Sequence, residues 1–252
     1  MSIDLFSLSG RRILVTGGGR GLGRAMGQAM VDAGGDVALV SRTQDQVAEA
    51  AKEIGGNAVG VAGDIAAQDP ATLVDIVEEA LGGPIDVVLH AAGVQHRQAV
   101  EHFEHEAWDR VLNINLSAPF RLSQEIGARQ LESQGSGSHI FTASITSLLM
   151  IQNVAAYTAA KSGLYGLTRA FSGEWSGSGI RANAIGPGYF RTEMTDTLFQ
   201  DKEHCQKMLD RIPMGRFGDL KELSGAAVFL ASEASSYVTG QLLMVDGGWT
   251  AS

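Results

Sequence analysis

Tyr157 and Lys161 stand four residues apart in AAYTAAKSG, a run otherwise built of small side chains. In a helix the two share one face, one turn apart, and the alanines and glycine let another group pack close against it. A free phenol, with a pKa of about 10, is a poor base at neutral pH; an ammonium one turn away favours the phenolate. The pair could therefore trade the proton of a hydroxyl group. Taken alone, the spacing fits a helix packed against a partner helix just as well.

A second constellation lies at TGGGRGLG, Thr16 to Gly23, between the apolar run ILVT and an Ala/Met-rich helix. Gly17, Gly21 and Gly23 give the pattern G-x-x-x-G-x-G, with Arg20 and Leu22 between them. Missing side chains tighten such a turn, bring a pyrophosphate to the N–H groups of the helix start, and let the helix lie close to the sheet. A third signal is Pro119, four residues after Asn115 in a stretch with helical character. Proline has no N–H to offer the Asn115 carbonyl, so a kink is expected, with that carbonyl open to a water.

The elements that must hold these residues read as an alternation. Apolar runs start at Ile13, Asp36, Ala58, Ile85, His139, Arg181 and Gln241, which makes seven strands. Between them lie helical patterns such as LVDIVEEAL, where Leu73, Ile76, Val77 and Leu81 are expected on one face. Pro70 suits a helix start, and Gly34-Gly35 and Gly82-Gly83 suit helix stops. Strands alternating with helices predict an α/β fold of the Rossmann type, doubly wound, with a parallel sheet covered on both faces. No linker or shift of composition divides the chain, so one domain, residues 1–252, is expected. Gly186 to Arg216, with its Gly-Pro-Gly turn, reads as an irregular region that could cover a site.

Composition narrows the classes. The chain has 252 residues, 44% of them apolar, enough for a sizeable core. A net charge of −9 disfavours nucleic acid or an anionic membrane as the main partner. One cysteine, Cys205, forms no internal disulfide and fits a reducing compartment. With no apolar leader visible at the N-terminus and no run of membrane-spanning length, a cytoplasmic protein is expected. No metal is expected.

TGGGRGLG, Asp64-Ile65, HAAG at His90 to Gly93, Asn115-Leu116, Ser144, Tyr157-x-x-x-Lys161 and GPGYFRT at Gly186 to Thr192 occur in one order and spacing. In this the chain resembles the short-chain dehydrogenases/reductases from end to end. The resemblance implies strand order 3-2-1-4-5-6-7, a nicotinamide cofactor, a homotetramer, and a catalytic set of Asn115, Ser144, Tyr157 and Lys161. Ser144 would hold the substrate oxygen while Tyr157 exchanges the proton, with Ser147 a weaker candidate for the same task. Lys161 and the cationic nicotinamide would lower the tyrosine pKa, and Lys161 would also hold the nicotinamide ribose. Asn115 would serve a water-mediated proton relay. The resemblance further places Asp64 and Ile65 beside the adenine, Ala92 and Gly93 against the cofactor backbone, and Pro187, Gly188 and Thr192 at the nicotinamide.

HAAG departs from the family's more usual NNAG: Ala91 cannot make the asparagine's strand ties, and His90 reads as a buried, satisfied histidine. At the end of the second strand Ser41 and Arg42 stand where members that prefer NAD place an acid. With Arg20 they could clamp a 2′-phosphate, which puts NADP(H) ahead of NAD(H). The loops GVQHR, SITSLL and GYFRTEM are polar and carry His96, Arg97, Tyr189 and Arg191. GVQHR, followed later by PGYFRTEM and a terminal VDGGW, is similar to the wording of gluconate and deoxygluconate dehydrogenases of the family. A sugar acid is the expected substrate, its carboxylate steered by Arg97. Two alternatives stand beside it: a 3-oxoacyl-thioester reductase, and a nucleotide-sensing subunit without catalysis.

Overall fold

The computed structural model describes residues 3–133, 135–191 and 202–251. A seven-stranded parallel sheet forms the centre: β1 (Arg12–Thr16), β2 (Asp36–Ser41), β3 (Ala58–Ala62), β4 (Val87–His90), β5 (Gly137–Thr142), β6 (Ile180–Pro187) and β7 (Leu242–Val245). Their order is 3-2-1-4-5-6-7, as the resemblance implies. Around the sheet lie α1 (Gly21–Asp32), α2 (Gln44–Ile54), α3 (Pro70–Leu81), α4 (His105–Leu112), α5 (Ala118–Glu132), α6 (Ala155–Trp175), α7 (Lys202–Leu209) and α8 (Leu220–Ala231). The order reverses between β1 and β4, whose register pairs Thr16 with His90. In open α/β sheets such a switch point, at the carboxyl ends of the strands, is where ligands bind.

Both faces of the sheet are covered by apolar side chains. Ile13, Val15, Leu39 and Ile140 pack under Met26 and Met30 of α1 and Leu223 and Leu230 of α8. Leu14, Val40 and Val88 pack under Leu73, Val74 and Val77 of α3 and Leu122 and Ile126 of α5. Strands buried on both sides become near-continuous apolar runs, which is why they stand out in the sequence.

Local signals decide the ends of α3. Asp69 caps it by accepting from the Thr72 N–H at 3.0 Å, Pro70 opens it, and Gly82 closes it in the left-handed region. The apolar face differs from the expectation: Ile76 is 40% exposed, and Val74 is buried in its place. Leu73, Val77 and Leu81 drift around the helix toward Val74, and Ile76 falls more than a quarter-turn off that stripe. The irregular region is also shorter than expected. β6 runs on through Gly186-Pro187, and α7 occupies part of the remainder.

Candidate active site

At the turn from β1 into α1, Gly17 has φ +68, and a Cβ there would lie 2.7 Å from the Ala92 backbone. A Cβ on Gly23 would lie 2.4 Å from the Gly17 carbonyl oxygen. Only glycine permits this approach of turn, helix and β4. Arg20 is the N-cap residue of α1 and contributes no side-chain cap, and no acid occupies the first turn, so the helix start keeps its positive end. Thr16, which the sequence reading passed over, accepts from the Ala91 and Ala92 N–H groups at 3.2 and 3.3 Å. Its hydroxyl supplies the strand tie that Ala91 cannot make. At the end of β2 the buried Ser41 hydroxyl has no protein partner, and Arg42 beside it is exposed. Asp64 turns inward on its own loop, accepting from the Ala66 N–H at 2.9 Å, while Ile65 packs on the core beneath.

A close glycine turn, an uncapped helix start and an orphaned hydroxyl beside an arginine fit a dinucleotide carrying an extra phosphate. Thr192 lies outside the described residues. Pro187 ends β6, and Gly188 follows with its N–H donated to the Val245 carbonyl at 2.9 Å.

The opening pair lies on α6 as the spacing requires, with the Lys161 ammonium 5.4 Å from the centre of the Tyr157 ring. Ser144 follows β5 and begins a short 3-10 turn, where its oxygen accepts from the Thr146 N–H. Its hydroxyl also hydrogen-bonds with the Tyr157 phenol. Lys161 is buried and donates to the Thr142 carbonyl at 2.6 Å. A methyl group placed on Gly93 would lie 2.8 Å from Asn115 Oδ1 and 3.9 Å from Lys161 Nζ, so the loop after β4 brings Asn115 and Lys161 to one point. Ser147, in contrast, donates to the Lys161 backbone carbonyl at 2.8 Å and braces the helix.

The Pro119 signal marks a π-turn, Asn113–Ser117, between α4 and α5. Asn115 is fully buried in it. Its side-chain nitrogen donates to the Val94 and Val111 carbonyls at 2.9 and 2.8 Å, and its oxygen accepts from the Val94 N–H. The side chain thus tethers the loop after β4, a role the sequence reading did not anticipate.

Burial pushes the Tyr157 phenol up to about 12, only partly opposed by the Ser144 hydrogen bond. Burial also pushes Lys161 down to about 7. In the protein without cofactor, desolvation thus outweighs a lysine that is about half protonated near neutral pH; the expected depression of the tyrosine pKa includes the cationic nicotinamide and concerns the cofactor-bound state.

His90 is buried, as expected, and stacked on Phe141 at 4.9 Å, but it is satisfied on one nitrogen only, because Nδ1 has no partner. Its Nε2 bonds the Ser123 hydroxyl at 2.8 Å, and that hydroxyl meets His139 Nδ1 at 3.1 Å. His96 bonds Gln98 within its own loop and lies edge-on to Phe103. Arg97 is exposed and acts electrostatically on Tyr189. α7 and the turn after it bring Met208 and Ile212 onto Ile145, the neighbour of Ser144, with Tyr189 and Trp249 in the same cluster.

Comparison with known proteins agrees with this geometry. The family model described as "Enoyl-(Acyl carrier protein) reductase" matches residues 17–250. Gluconate 5-dehydrogenase of Gluconobacter oxydans is 38% identical over 99% of this chain and 98% of its own length. 2-Dehydro-3-deoxy-D-gluconate 5-dehydrogenase of Bacillus subtilis is 40% identical over 98% and 97%. The crystal structure of a gluconate 5-dehydrogenase from Burkholderia cenocepacia, in complex with NADP and tartrate, is 35% identical and superposes with a TM-score of 0.94 over 99% and 98%.

Proposed function

The chain belongs to the short-chain dehydrogenase/reductase family, and from that membership we propose that it is an NADP(H)-preferring dehydrogenase interconverting a secondary alcohol and a ketone on a sugar acid. The convergence of Ser144, Tyr157, Lys161 and Asn115 beside the glycine turn carries this reading. A sensor without catalysis has no use for that set. Gly17, Gly21, Leu22 and Gly23 would hold the pyrophosphate, Arg20, Ser41 and Arg42 the 2′-phosphate, Asp64 and Ile65 the adenine, and Ala92, Gly93, Pro187, Gly188 and Thr192 the nicotinamide end. NAD(H) would bind less well for want of the phosphate.

The oxidised cofactor, when bound, would supply the hydride acceptor and a positive ring that favours the Tyr157 phenolate. In that form Tyr157 would take the proton of the substrate hydroxyl, having given its own to the relay through Lys161, while Ser144 would hold the oxygen through its own O–H. Lys161, poised at about 7, can pass a proton on at neutral pH, and Asn115 fixes the loop against which that relay runs. Arg97 would face the substrate carboxylate. The family resemblance adds a homotetramer, and the single cysteine and the sequence pattern a cytoplasmic location, which light scattering and fractionation would test.

A 3-oxoacyl-thioester reductase is the second reading, favoured by Leu148 and Met150, 52% and 76% exposed just past Ser144, where an acyl chain could lie. Turnover of gluconate with NADP+, compared with reduction of acetoacetyl thioester with NADPH, separates the two. We expect the sugar acid to be the better substrate by at least tenfold, and faster thioester reduction would overturn the proposal. Arg42→Asp should weaken NADP(H) by at least tenfold. A wild type that uses NAD+ as well as NADP+ would remove the phosphate clamp.

A further inference from the structure

The π-turn between α4 and α5 carries two asparagines that reach different loops. Asn115 holds Val94, in the loop after β4, by both its amide nitrogen and its oxygen. Asn113 reaches the loop after β3, where its amide nitrogen donates to the Ala66 carbonyl at 3.3 Å. Side chains two residues apart on a helical turn face nearly opposite sides, so one short element can serve two loops. The orientation of the Asn113 amide is decided by α5. Arg121 donates to its Oδ1 at 2.9 Å, and a guanidinium can only donate, so the amide nitrogen is the group left for Ala66. The Ala118 N–H, reaching back to the Asn113 carbonyl, closes the turn.

Ala66 is gripped from its other side as well. Its N–H donates to Asp64 Oδ1 at 2.9 Å, while the Asp64 carbonyl accepts from the Gln68 N–H at 2.8 Å. A chain of hydrogen bonds thus runs from Arg121 through Asn113 and Ala66 to the Asp64 carboxylate, and Asn113 is what joins the Asp64 turn to α5. We propose that Asn113 is a positioning residue for the cofactor: through Ala66 it fixes the Asp64 turn against the adenine, while Asn115, two residues on, fixes the loop at the nicotinamide end. One π-turn thereby sets the spacing of the two loops between which a dinucleotide lies, so that the site is shaped before the ligand arrives. The proposal rests on the nucleotide-binding reading of the site and names what holds its adenine end.

The test is binding, read without turnover. The protein is titrated by calorimetry with NADPH, with adenosine 2′,5′-bisphosphate, which is its adenine half, and with reduced nicotinamide mononucleotide, the other half. Asn113→Asp keeps an acceptor for Arg121 and loses the donor to Ala66. It should weaken NADPH and the bisphosphate alike, by about fivefold to tenfold, and leave the mononucleotide within about twofold. Asn113→Ala, which adds no charge, should do the same, and Asn113→Gln, which keeps the donor on a longer arm, should recover part of the loss. Circular dichroism checks that each variant folds. An unchanged affinity for the bisphosphate in Asn113→Asp and Asn113→Ala would overturn the proposal, and so would an equal loss for all three ligands, which would make Asn113 a support of the whole turn. A wild type that binds none of the three would instead sink the nucleotide-binding reading, and the role of Asn113 with it.

Discussion

Two sets of polar side chains are buried in this molecule, and they differ in how completely they are paired. The first is a chain through the interior. Gln130 donates to the Ile85 carbonyl at 2.9 Å, so its oxygen is left to accept from His139 Nε2. His139 Nδ1 must then accept from Ser123, whose oxygen accepts from His90 Nε2. Each tautomer follows from the group before it. The second set lies at the carboxyl edge of the sheet. Among the described residues, buried side-chain atoms without a partner are the Ser41, Thr142, Thr146 and Thr158 hydroxyls and His90 Nδ1. All lie at strand ends or within two residues of Ser144 or Tyr157. A protein interior tolerates few such atoms, because each forfeits its hydration. The interior chain pairs its polar groups with one another, and the edge leaves several of its own unpaired at the strand ends, where open α/β sheets bind ligands. His90 belongs to both, paired on one nitrogen and open on the other.

The largest test of that contrast is Tyr157→Phe. It deletes the one hydroxyl proposed to exchange the proton and leaves the ring in place. We expect turnover to fall about 10³-fold, roughly 4 kcal/mol of barrier, with the melting temperature little changed. Turnover within about tenfold of wild type would return Tyr157 to the class of packing residues.

Acid should act on the interior chain next. His139 is pushed down to about 3 and His90 well below the usual range, by burial first and, for His90, by the charges of His139 and Lys161. Both stay neutral in the folded protein while the unfolded chain takes up protons below pH 6.5. Stability is therefore complete above that pH and is lost as pH falls toward about 3, by roughly 4 kcal/mol from His139 alone. Urea midpoints measured between pH 6 and 5, below the folded Lys161 value of about 7 and before most unfolded carboxylates titrate, isolate the buried histidines. A midpoint constant across that window would show that the chain accepts protons when folded.

Much of this architecture could be read from residues close in sequence. Seven strands were visible because a strand buried on both faces needs an unbroken apolar run, and Pro70 and Gly82 marked the ends of α3 by backbone chemistry alone. Tyr157 and Lys161 stood out from a packing pair only once the glycine turn and the other motifs stood beside them in sequence. What stayed hidden depends on contacts between distant segments. Thr16 ties Ala91 and Ala92 from 75 and 76 positions away, and Arg211 meets Trp249 only after the chain has passed through β7. The raised Tyr157 pKa of the chain without cofactor was hidden for a related reason: spacing reveals a neighbouring cation, but not the desolvation that acts on both partners.

Ser123→Ala sharpens the comparison from the structural side. It strips a partner from His90 Nε2 and from His139 Nδ1 at once, leaving two more buried nitrogens unpaired. The cost should be about 2 to 4 kcal/mol, seen as a melting temperature lower by roughly 5 to 10 °C. Turnover at a temperature where the variant is folded should stay within a few-fold, because nothing between Ser123 and Gln130 touches a reacting atom. A loss of turnover near that of Tyr157→Phe would join the two sets into one.

The smallest effect is expected at Ser147, the residue that tells most finely where the functional set ends. By position it could hold a substrate oxygen, since it lies three residues past Ser144 in the same turn. Its hydroxyl donates to the backbone carbonyl of Lys161, however, and so points at the helix that carries the reacting groups. That bond is partly exposed and neutral, and such a bond contributes about 0.5 to 1 kcal/mol. Ser147→Ala should therefore lower the melting temperature by no more than about 4 °C. It should leave kcat and the substrate KM within about threefold, because the carbonyl it releases remains inside a hydrogen-bonded helix and Lys161 keeps its tie to Thr142. Ser144→Ala, measured beside it, should lose turnover by about 10²-fold, as expected for removal of a hydrogen bond to a developing charge. Equal losses at the two serines would mean that the turn presents both hydroxyls to the substrate and that the Ser147 bond to the helix breaks on binding.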